Sequence, residues 1–97
     1  MITYITLMKL TDQGVKDLKE SPKRIEDGLK VFEKMGGRLI GFYATLGEFD
    51  YIGIGEAPND TVATMFNLAL SSLGFVRTTT IKAFTISEFA DMIKRLP

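Results

Sequence analysis

The stretch RLIGFYATLGEFDYIGIGEA, residues 38–57, decides the fold of this chain. It contains two runs rich in β-branched and aromatic residues, which are typical of strands, and a short polar segment around Gly47 separates them. This pattern predicts an antiparallel hairpin. The residues expected to share one face of the hairpin are Ile40, Phe42, Ala44, Ile52 and Ile54.

The turn of this hairpin, TLGEFD, carries two carboxylates, Glu48 and Asp50. Gly47 permits the turn, and acidic side chains in turns commonly accept hydrogen bonds from nearby backbone N–H groups. We therefore expect a structural role for this acidic turn, which we define as Gly47, Glu48 and Asp50. In the alternative, both carboxylates lie at the rim of the sheet, and with Arg77 or Lys82 they pair across a subunit boundary or control access to a lumen.

Upstream of the hairpin, the sequence predicts a strand and two helices. The run ITYITLMKL alternates with a period of two, which places Tyr4, Thr6 and Met8 on one face of a strand. TDQGVKDLKES then predicts a short helix whose apolar side is Val15 and Leu18.

A second helix start follows at Ser21, which is a candidate cap before a proline. Apolar residues then recur at three- and four-residue spacing as far as a pair of glycines, so the main helix is expected to end there.

Downstream of the hairpin, the sequence predicts a helix, a strand and a tail helix. Pro58-Asn59-Asp60 begins a helix that runs to about Leu73 and is closed by Gly74. FVRTTTIKAF predicts the fourth strand. ISEFADMIKRLP has Ser87 at a cap position and predicts a short amphipathic helix.

This order of elements is the βαββαβ order of a ferredoxin-like α+β sandwich, in which two helices cover one face of a four-stranded antiparallel sheet. We expect this domain in residues 1–85 and the C-terminal helix in residues 86–97. The other face of the sheet is expected to be too apolar for solvent and too polar for a sealed core. Two such sheets that pack face to face would form a dimeric α+β barrel with a partly polar lumen.

The same uncovered face is the candidate ligand pocket or dimer lumen. Phenols and a guanidinium could orient an aromatic or carboxylate ligand there. Alternatively, the tyrosines pair across the dimer and the arginine neutralises the acidic turn. The residues expected in this pocket or lumen are Tyr4, Tyr43, Thr45, Tyr51, Arg77 and Thr79.

The helix after the hairpin is unusual because the chain carries no charge from Thr61 through Val76. A solvated helix normally carries charges on its outer face. We therefore expect this face to be covered, either by the tail helix or by another subunit. The residues expected at this oligomer contact are Thr64, Asn67, Leu68 and Ser71.

Composition narrows the possible functions. The 97 residues include 12 basic and 12 acidic ones, so no net positive field attracts nucleic acid or an anionic membrane. The chain has no histidine or cysteine, which removes the commonest general base, the usual haem ligand and most zinc ligands. The acidic turn supplies fewer oxygens than a hard cation needs.

No run approaches the roughly 20 apolar residues of a membrane span, and the opening run is unlike a signal peptide. We expect a cytoplasmic protein without cofactor or metal.

The residues also resemble the GYD domain family, which is named for a glycine-tyrosine-aspartate turn. The resemblance rests on the order and spacing of TDQG, SPKR, GG, TLGEFD, EAPND, SLG and VRTTTIKAFT. It implies a ferredoxin-like fold that associates as a dimeric α+β barrel. This chain has Phe49 where the family usually has tyrosine before the aspartate, so we expect no role that needs that phenol.

Two functions are compatible with these features. We favour a non-catalytic small-ligand-binding or assembly module that works as a homodimer or larger homo-oligomer, because such a module needs neither a base nor a nucleophile. The alternative is a cofactor-independent enzyme that acts on a small aromatic or polyketide-like compound. In that enzyme a tyrosine or Asp50 would handle a proton, by analogy with other dimeric α+β barrels.

Overall fold

The structure of the protein is a computed structural model that describes residues 1–97. A 3₁₀ turn at Leu18–Glu20 joins α1 to α2. No helix is both long enough and apolar enough to cross a membrane. The elements are β1 Ile2–Leu10, α1 Asp12–Lys16, α2 Ser21–Lys34, β2 Arg38–Ala44, β3 Tyr51–Ala57, α3 Asp60–Ser72, β4 Val76–Ala83 and α4 Ile86–Lys94.

The four strands form one antiparallel sheet in the order β2-β3-β1-β4. The first strand of the chain is therefore central and is paired on both sides, whereas β2 and β4 are the edges. Helices α2 and α3 cover one face of this sheet. The predicted ferredoxin-like α+β fold is confirmed.

For β1 and β3, the helices cover the face opposite to the one that the sequence predicted. Tyr4 and Met8 of β1 point towards the helices and are buried there. Tyr51 is the cross-strand partner of Met8 and is buried on the same side. The prediction that Tyr4 and Tyr51 line the uncovered face is therefore wrong. Both faces of these strands are rich in apolar residues, so alternation separates the two faces without indicating which one the helices cover.

The hairpin also has a different register from the predicted one. The pairing of β2 with β3 is irregular at Ile40, where one extra residue is inserted into β2. Phe42 therefore lies opposite Gly53 on the helix side. Ile52 and Ile54 point to the other face because neighbouring residues of a strand alternate in direction. The prediction that Phe42 shares a face with these isoleucines is wrong.

Glycines on the covered face make room for aromatic rings. Phe32 of α2 is buried, and a Cβ atom on Gly55 of β3 would lie only 3.0 Å from its ring. A Cβ atom on Gly37 would approach the same ring to 2.5 Å. The ring centroids of Phe32 and Phe66 are 4.8 Å apart, which connects α2 to α3. The glycine-rich part of β3 thus admits a large side chain, but from the helix side and from the same chain.

Side-chain caps begin three of the helices, and the cap of α1 is Thr11. Asn59 Oδ1 accepts a backbone N–H of the first turn of α3 at 2.9 Å. Thr85 and Glu88 form a reciprocal capping box at the start of α4. Thr85 is therefore the cap of α4 and the predicted Ser87 is not. Ser21 does not cap α2 either, because its hydroxyl donates to a carbonyl of the preceding 3₁₀ turn at 2.6 Å.

Helix α1 packs through a glycine. Val15 and Leu18 are 58% and 49% exposed, so the prediction that they form the buried side is wrong. The buried residue is Gly14, whose Cα lies against the backbone carbonyl of Phe75. The N–H of Thr11 donates to the same carbonyl at 3.0 Å. This contact joins the end of β1 to the start of β4.

Helix α4 extends away from the sheet and the two packed helices. It makes little contact with other elements, and the chain measures 52 Å along its longest axis against 30 and 18 Å along the others. Phe89 and Ile93 on its apolar side are about half exposed, at 54% and 50%. On the outer face of α3, Leu68 is 64% exposed. Within one chain, therefore, the tail helix does not cover α3.

Two alanine substitutions are expected to have opposite effects on stability. Gly14→Ala should lower the free energy of unfolding by about 1–3 kcal/mol, because its Cβ would overlap the carbonyl of Phe75. Gly28→Ala should raise it by about 1 kcal/mol, because alanine favours a helix interior and the new Cβ would lie 3.8 Å from Leu70. Urea unfolding at equal protein concentration measures both values. Equal effects of the two substitutions would contradict this packing.

Candidate functional site

The face of the sheet that the helices leave uncovered is largely apolar. Ile5 is central, because Ile54 and Ile81 are its cross-strand partners on either side. Ile81 is 48% exposed and Tyr43 is 60% exposed. The apolar members of this surface, which we call the open face, are Ile5, Leu7, Tyr43, Ile52, Ile54 and Ile81.

Charged residues lie around the open face. Lys9 of β1 is the cross-strand partner of Arg77 of β4. Near the opposite ends of the strands, Arg38 forms an ion pair with Glu56. An apolar centre with a charged rim is the usual anatomy of a protein–protein interface.

The structure separates the residues of the predicted ligand pocket. Tyr43, Arg77 and Thr79 are on the open face, whereas Tyr4 and Tyr51 are on the helix side. Thr45 belongs to the hairpin connection, where its hydroxyl donates to a backbone carbonyl at 2.5 Å.

The tyrosine and the arginine of the predicted pocket that do lie on the open face are far apart. Tyr43 and Arg77 are on the two edge strands, which are three strand spacings, or about 14 Å, apart. The prediction that Tyr4, Tyr43, Tyr51 and Arg77 project from one face is therefore wrong.

The acidic turn is attached to the end of β1. Asp50 Oδ2 accepts the backbone N–H of Leu10 at 2.8 Å, and the N–H of Asp50 donates to the carbonyl of Met8 at 2.8 Å. Glu48 forms an exposed ion pair with Lys9 at 3.3 Å. Within the chain, therefore, Asp50 closes the backbone pairing of the hairpin with β1.

A polar cluster that the sequence analysis missed connects α3 to the sheet. The hydroxyl of Tyr4 donates to Asp60 Oδ1 at 2.5 Å, and Lys82 Nζ lies 3.2 Å from the same oxygen. Two features of the chain indicate this cluster. Asp60 is an acidic residue in the first turn of α3, and Lys82 is a basic residue that pairs with Tyr4 across neighbouring strands.

Both acidic groups of this cluster have shifted pKa values. Burial raises the pKa of the Tyr4 phenol to about 12, and its hydrogen bond to Asp60 and the charge of Asp60 add to the shift. The hydrogen bond from Tyr4, followed by the one from Lys82, lowers the pKa of Asp60. The phenol therefore stays protonated near neutral pH, where it anchors the start of α3.

The uncharged outer face of α3 borders a groove beside the edge strand β4. This groove has a volume of about 450 Å³, and Thr78, Thr80 and Lys82 form its other wall. Leu68 on the helix wall is exposed. The residues predicted to form an oligomer contact, Thr64, Asn67, Leu68 and Ser71, all line this groove.

Substitutions in the acidic turn should show that its two carboxylates contribute differently to stability. Asp50→Ala should lower the free energy of unfolding by about 1–3 kcal/mol, because it removes a charged acceptor from a backbone N–H. Glu48→Ala should have almost no effect, because its ion pair is exposed to solvent. Thermal or urea unfolding measures both. Equal losses would mean that the turn stabilises the fold by charge alone.

The Tyr4 cluster should give the protein a distinctive pH profile. Because its pKa is raised, Tyr4 contributes stability that is complete below pH 10 and is lost as the pH rises towards about 12. Because its pKa is lowered, Asp60 contributes stability above its usual pKa of 3.8 that is lost as the pH falls further. Tyr4→Phe should reduce the change in the free energy of unfolding with pH at both the acidic and the alkaline end. Urea unfolding at a series of pH values measures this.

The matched control for that profile is Tyr43→Phe, which removes an exposed phenol hydroxyl. Its pH profile should follow that of the parent protein. If Tyr4→Phe also follows the parent at both extremes, the cluster does not contribute to stability as described.

Comparisons with known proteins agree with this architecture. The sequence profile of the GYD domain matches residues 4–93, a range that includes most of α4. A Thermus thermophilus protein named glutamine synthetase and cystathionine beta-lyase binding protein is 36% identical over 97 residues, which is 99% of each chain. The crystal structure of FFRP-DM1 superimposes with a TM-score of 0.63 over 87% of this chain and 100% of that chain. At 19% identity, this likeness concerns the fold alone. The chain belongs to the GYD domain family.

Proposed function

We propose that this protein is a non-catalytic protein-binding or assembly module that works as a homodimer or larger homo-oligomer. The observation that carries this proposal is the open face, on which Ile5, Ile54 and Ile81 form a contiguous apolar row that a single chain leaves uncovered. Soluble monomers rarely expose large contiguous apolar patches, and those that do commonly use them to bind other proteins.

A second copy of the chain is the first occupant that we propose for the open face. The surface runs across all four strands, so a two-fold axis can bring it against itself. Two sheets packed in this way lie about 10 Å apart and interdigitate their side chains. The central apolar row would then be buried while Lys9 and Arg77 remain at the rim.

Two further uncovered regions favour assembly beyond a pair of sheets. Phe89 and Ile93 give α4 an apolar side that contacts little of its own chain. Leu68 and the uncharged outer face of α3 are likewise uncovered. A partner subunit that receives α4 or packs on α3 would bury these surfaces.

The protein partners that we propose first are enzymes of the kinds named for the Thermus thermophilus relative, glutamine synthetase and cystathionine beta-lyase. That relative matches the full length of this chain. The balance of 12 basic and 12 acidic residues suits protein surfaces better than a nucleic acid backbone.

The polar groups near the helices support a non-catalytic role. The Tyr4 phenol is held protonated by burial and by its bond to Asp60. The carboxylate of Asp50 is occupied by a backbone N–H. Tyr4 and Asp50, two of the groups that could transfer a proton in the enzymatic alternative, are therefore engaged in structural hydrogen bonds.

Light scattering coupled to size-exclusion chromatography tests the assembly. The parent should elute as a dimer or larger oligomer, and Ile54→Lys should dissociate it, because a lysine in the centre of the open face would bury an unpaired charge. Leu68→Lys should lower the oligomeric order only if α3 is also an interface. Leu46→Lys is the matched control, because Leu46 is fully exposed in the hairpin connection.

The partner proposal needs a separate measurement. Purified glutamine synthetase and cystathionine beta-lyase from the same organism would be immobilised, and binding of the parent, Ile54→Lys and Leu46→Lys would be compared. We expect at least one enzyme to bind the parent and the control alike. A monomeric parent at micromolar concentration would refute the assembly, and failure of both enzymes to bind would refute the partner assignment.

A further inference from the structure

A cavity lies between the covered face of the sheet and helices α2 and α3. Its volume is about 420 Å³ and it is partly open to solvent. Met8 and Gly53 contribute to its floor, and Phe32 and Phe66 contribute to its helix side. The large side chains around it, Tyr4, Met8 and Phe32, are buried but retain 6–8% of their surface exposed. Small-molecule sites in proteins are mostly apolar clefts of this size.

A glycine keeps the floor of this cavity open. A Cβ atom on Gly53 would make only ordinary contacts, at 3.5 Å from Phe42 and 3.6 Å from Met8. The backbone there therefore accepts a side chain without steric conflict. A glycine inside a strand weakens the strand and often marks a place where a ligand approaches closely.

Two polar atoms beside the cavity are buried without hydrogen-bond partners. The guanidinium of Arg24 lies 4.0 Å from the ring centroid of Phe75, and its Nη1 donates to the carbonyl of Asp17 at 3.1 Å. Its Nη2 has no partner. Asn67 Oδ1 is also buried and unpaired. Both residues line the cavity, and unpaired buried polar atoms are rare because they are costly.

Most of the other polar groups of the lining have a hydrogen-bond or ion-pair partner. Asp27 carries the only other charge in the lining, and Lys23 pairs with its exposed carboxylate at 3.2 Å. Tyr4 donates to Asp60, and Ser21 donates to a backbone carbonyl. Arg24 Nη2 is the buried donor beside the cavity that lacks a partner, and it belongs to a cation.

We propose that this cavity binds a small amphipathic carboxylic acid. Its apolar body lies among Met8, Phe32 and Phe66, and its carboxylate accepts a hydrogen bond from Arg24 Nη2. Guanidinium groups bind carboxylates through strong charge-assisted hydrogen bonds, and a low-polarity surrounding strengthens them. Asn67 Oδ1 remains available to a hydroxyl or amide N–H elsewhere on the ligand.

The test is isothermal titration calorimetry with three probes: decanoate, 2-naphthoate, and decanol as the neutral counterpart of decanoate. We expect at least one acid to bind with one molecule per chain and decanol to bind at least about tenfold more weakly than decanoate, which is the effect of one charge-assisted hydrogen bond. Binding of decanoate alone would indicate a straight-chain ligand, and binding of 2-naphthoate alone would indicate a fused-ring ligand. No binding of either acid, or equal binding of decanoate and decanol, would overturn the proposal.

Three variants locate the site. Arg24→Met keeps an apolar stem over Phe75 and should weaken acid binding about tenfold or more without affecting decanol. Gly53→Val should abolish binding of all three probes while the thermal midpoint stays at or above that of the parent, because valine favours strands and fills the floor. Lys30→Met, which removes an exposed cation from α2, is the matched control and should bind like the parent.

Changes in amide chemical shifts locate the acid-binding site independently of the variants. Titration with the bound acid should shift the resonances of Arg24, Asn67 and Phe75 more than those of Ile5 and Ile81 on the open face. The opposite pattern, or acid binding that Arg24→Met leaves unchanged, would refute the site. Arg24→Met and Gly53→Val should keep the oligomeric order of the parent, so this proposal and the proposed assembly can fail separately.

Discussion

The contact of the Phe32 ring with Gly37 and Gly55 determines how the rest of the molecule is arranged. A Cβ atom at Gly55 in β3 or at Gly37 just before β2 would come within 3.0 Å of the ring, so Phe32 packs only where both positions lack a side chain. The glycines of β3 must therefore face the helices. Alternation along the strand then directs Ile52 and Ile54 to the opposite side, which makes the open face apolar.

Sequence reasoning was reliable for features that local signals specify. The order of elements, the antiparallel hairpin and the family follow from turn glycines, helix caps and apolar periodicity, and each of these acts over a few residues. The direction of each sheet face depends instead on packing between distant elements. Tyr4 and Ile5 are both plausible core residues, so only the fit of Phe32 against the glycines decides which of them the helices bury.

The candidate sites likewise differ in whether local sequence signals or contacts between distant elements determine them. The structural role of Asp50 was predictable because turn carboxylates bond to backbone N–H groups, and the structure contains such a bond. The environment of Arg24 was not predictable, since it combines α2, the residue before the 3₁₀ turn and the residue before β4. Within β3, Gly53 borders the cavity while its neighbours belong to the open face. One strand therefore serves two surfaces that can be altered separately.

The central position of β1 has a consequence for synthesis of the protein. In the order of synthesis, the first strand of this sheet pairs with its last, and Thr3 is opposite Ala83. The sheet cannot be completed until β4 has emerged, and pairing over such separations is slow. Until then, β1 and the β2–β3 hairpin expose apolar residues and remain unpaired or only partly paired. Cells that make this protein rapidly would benefit from chaperones that shield those segments until β4 arrives.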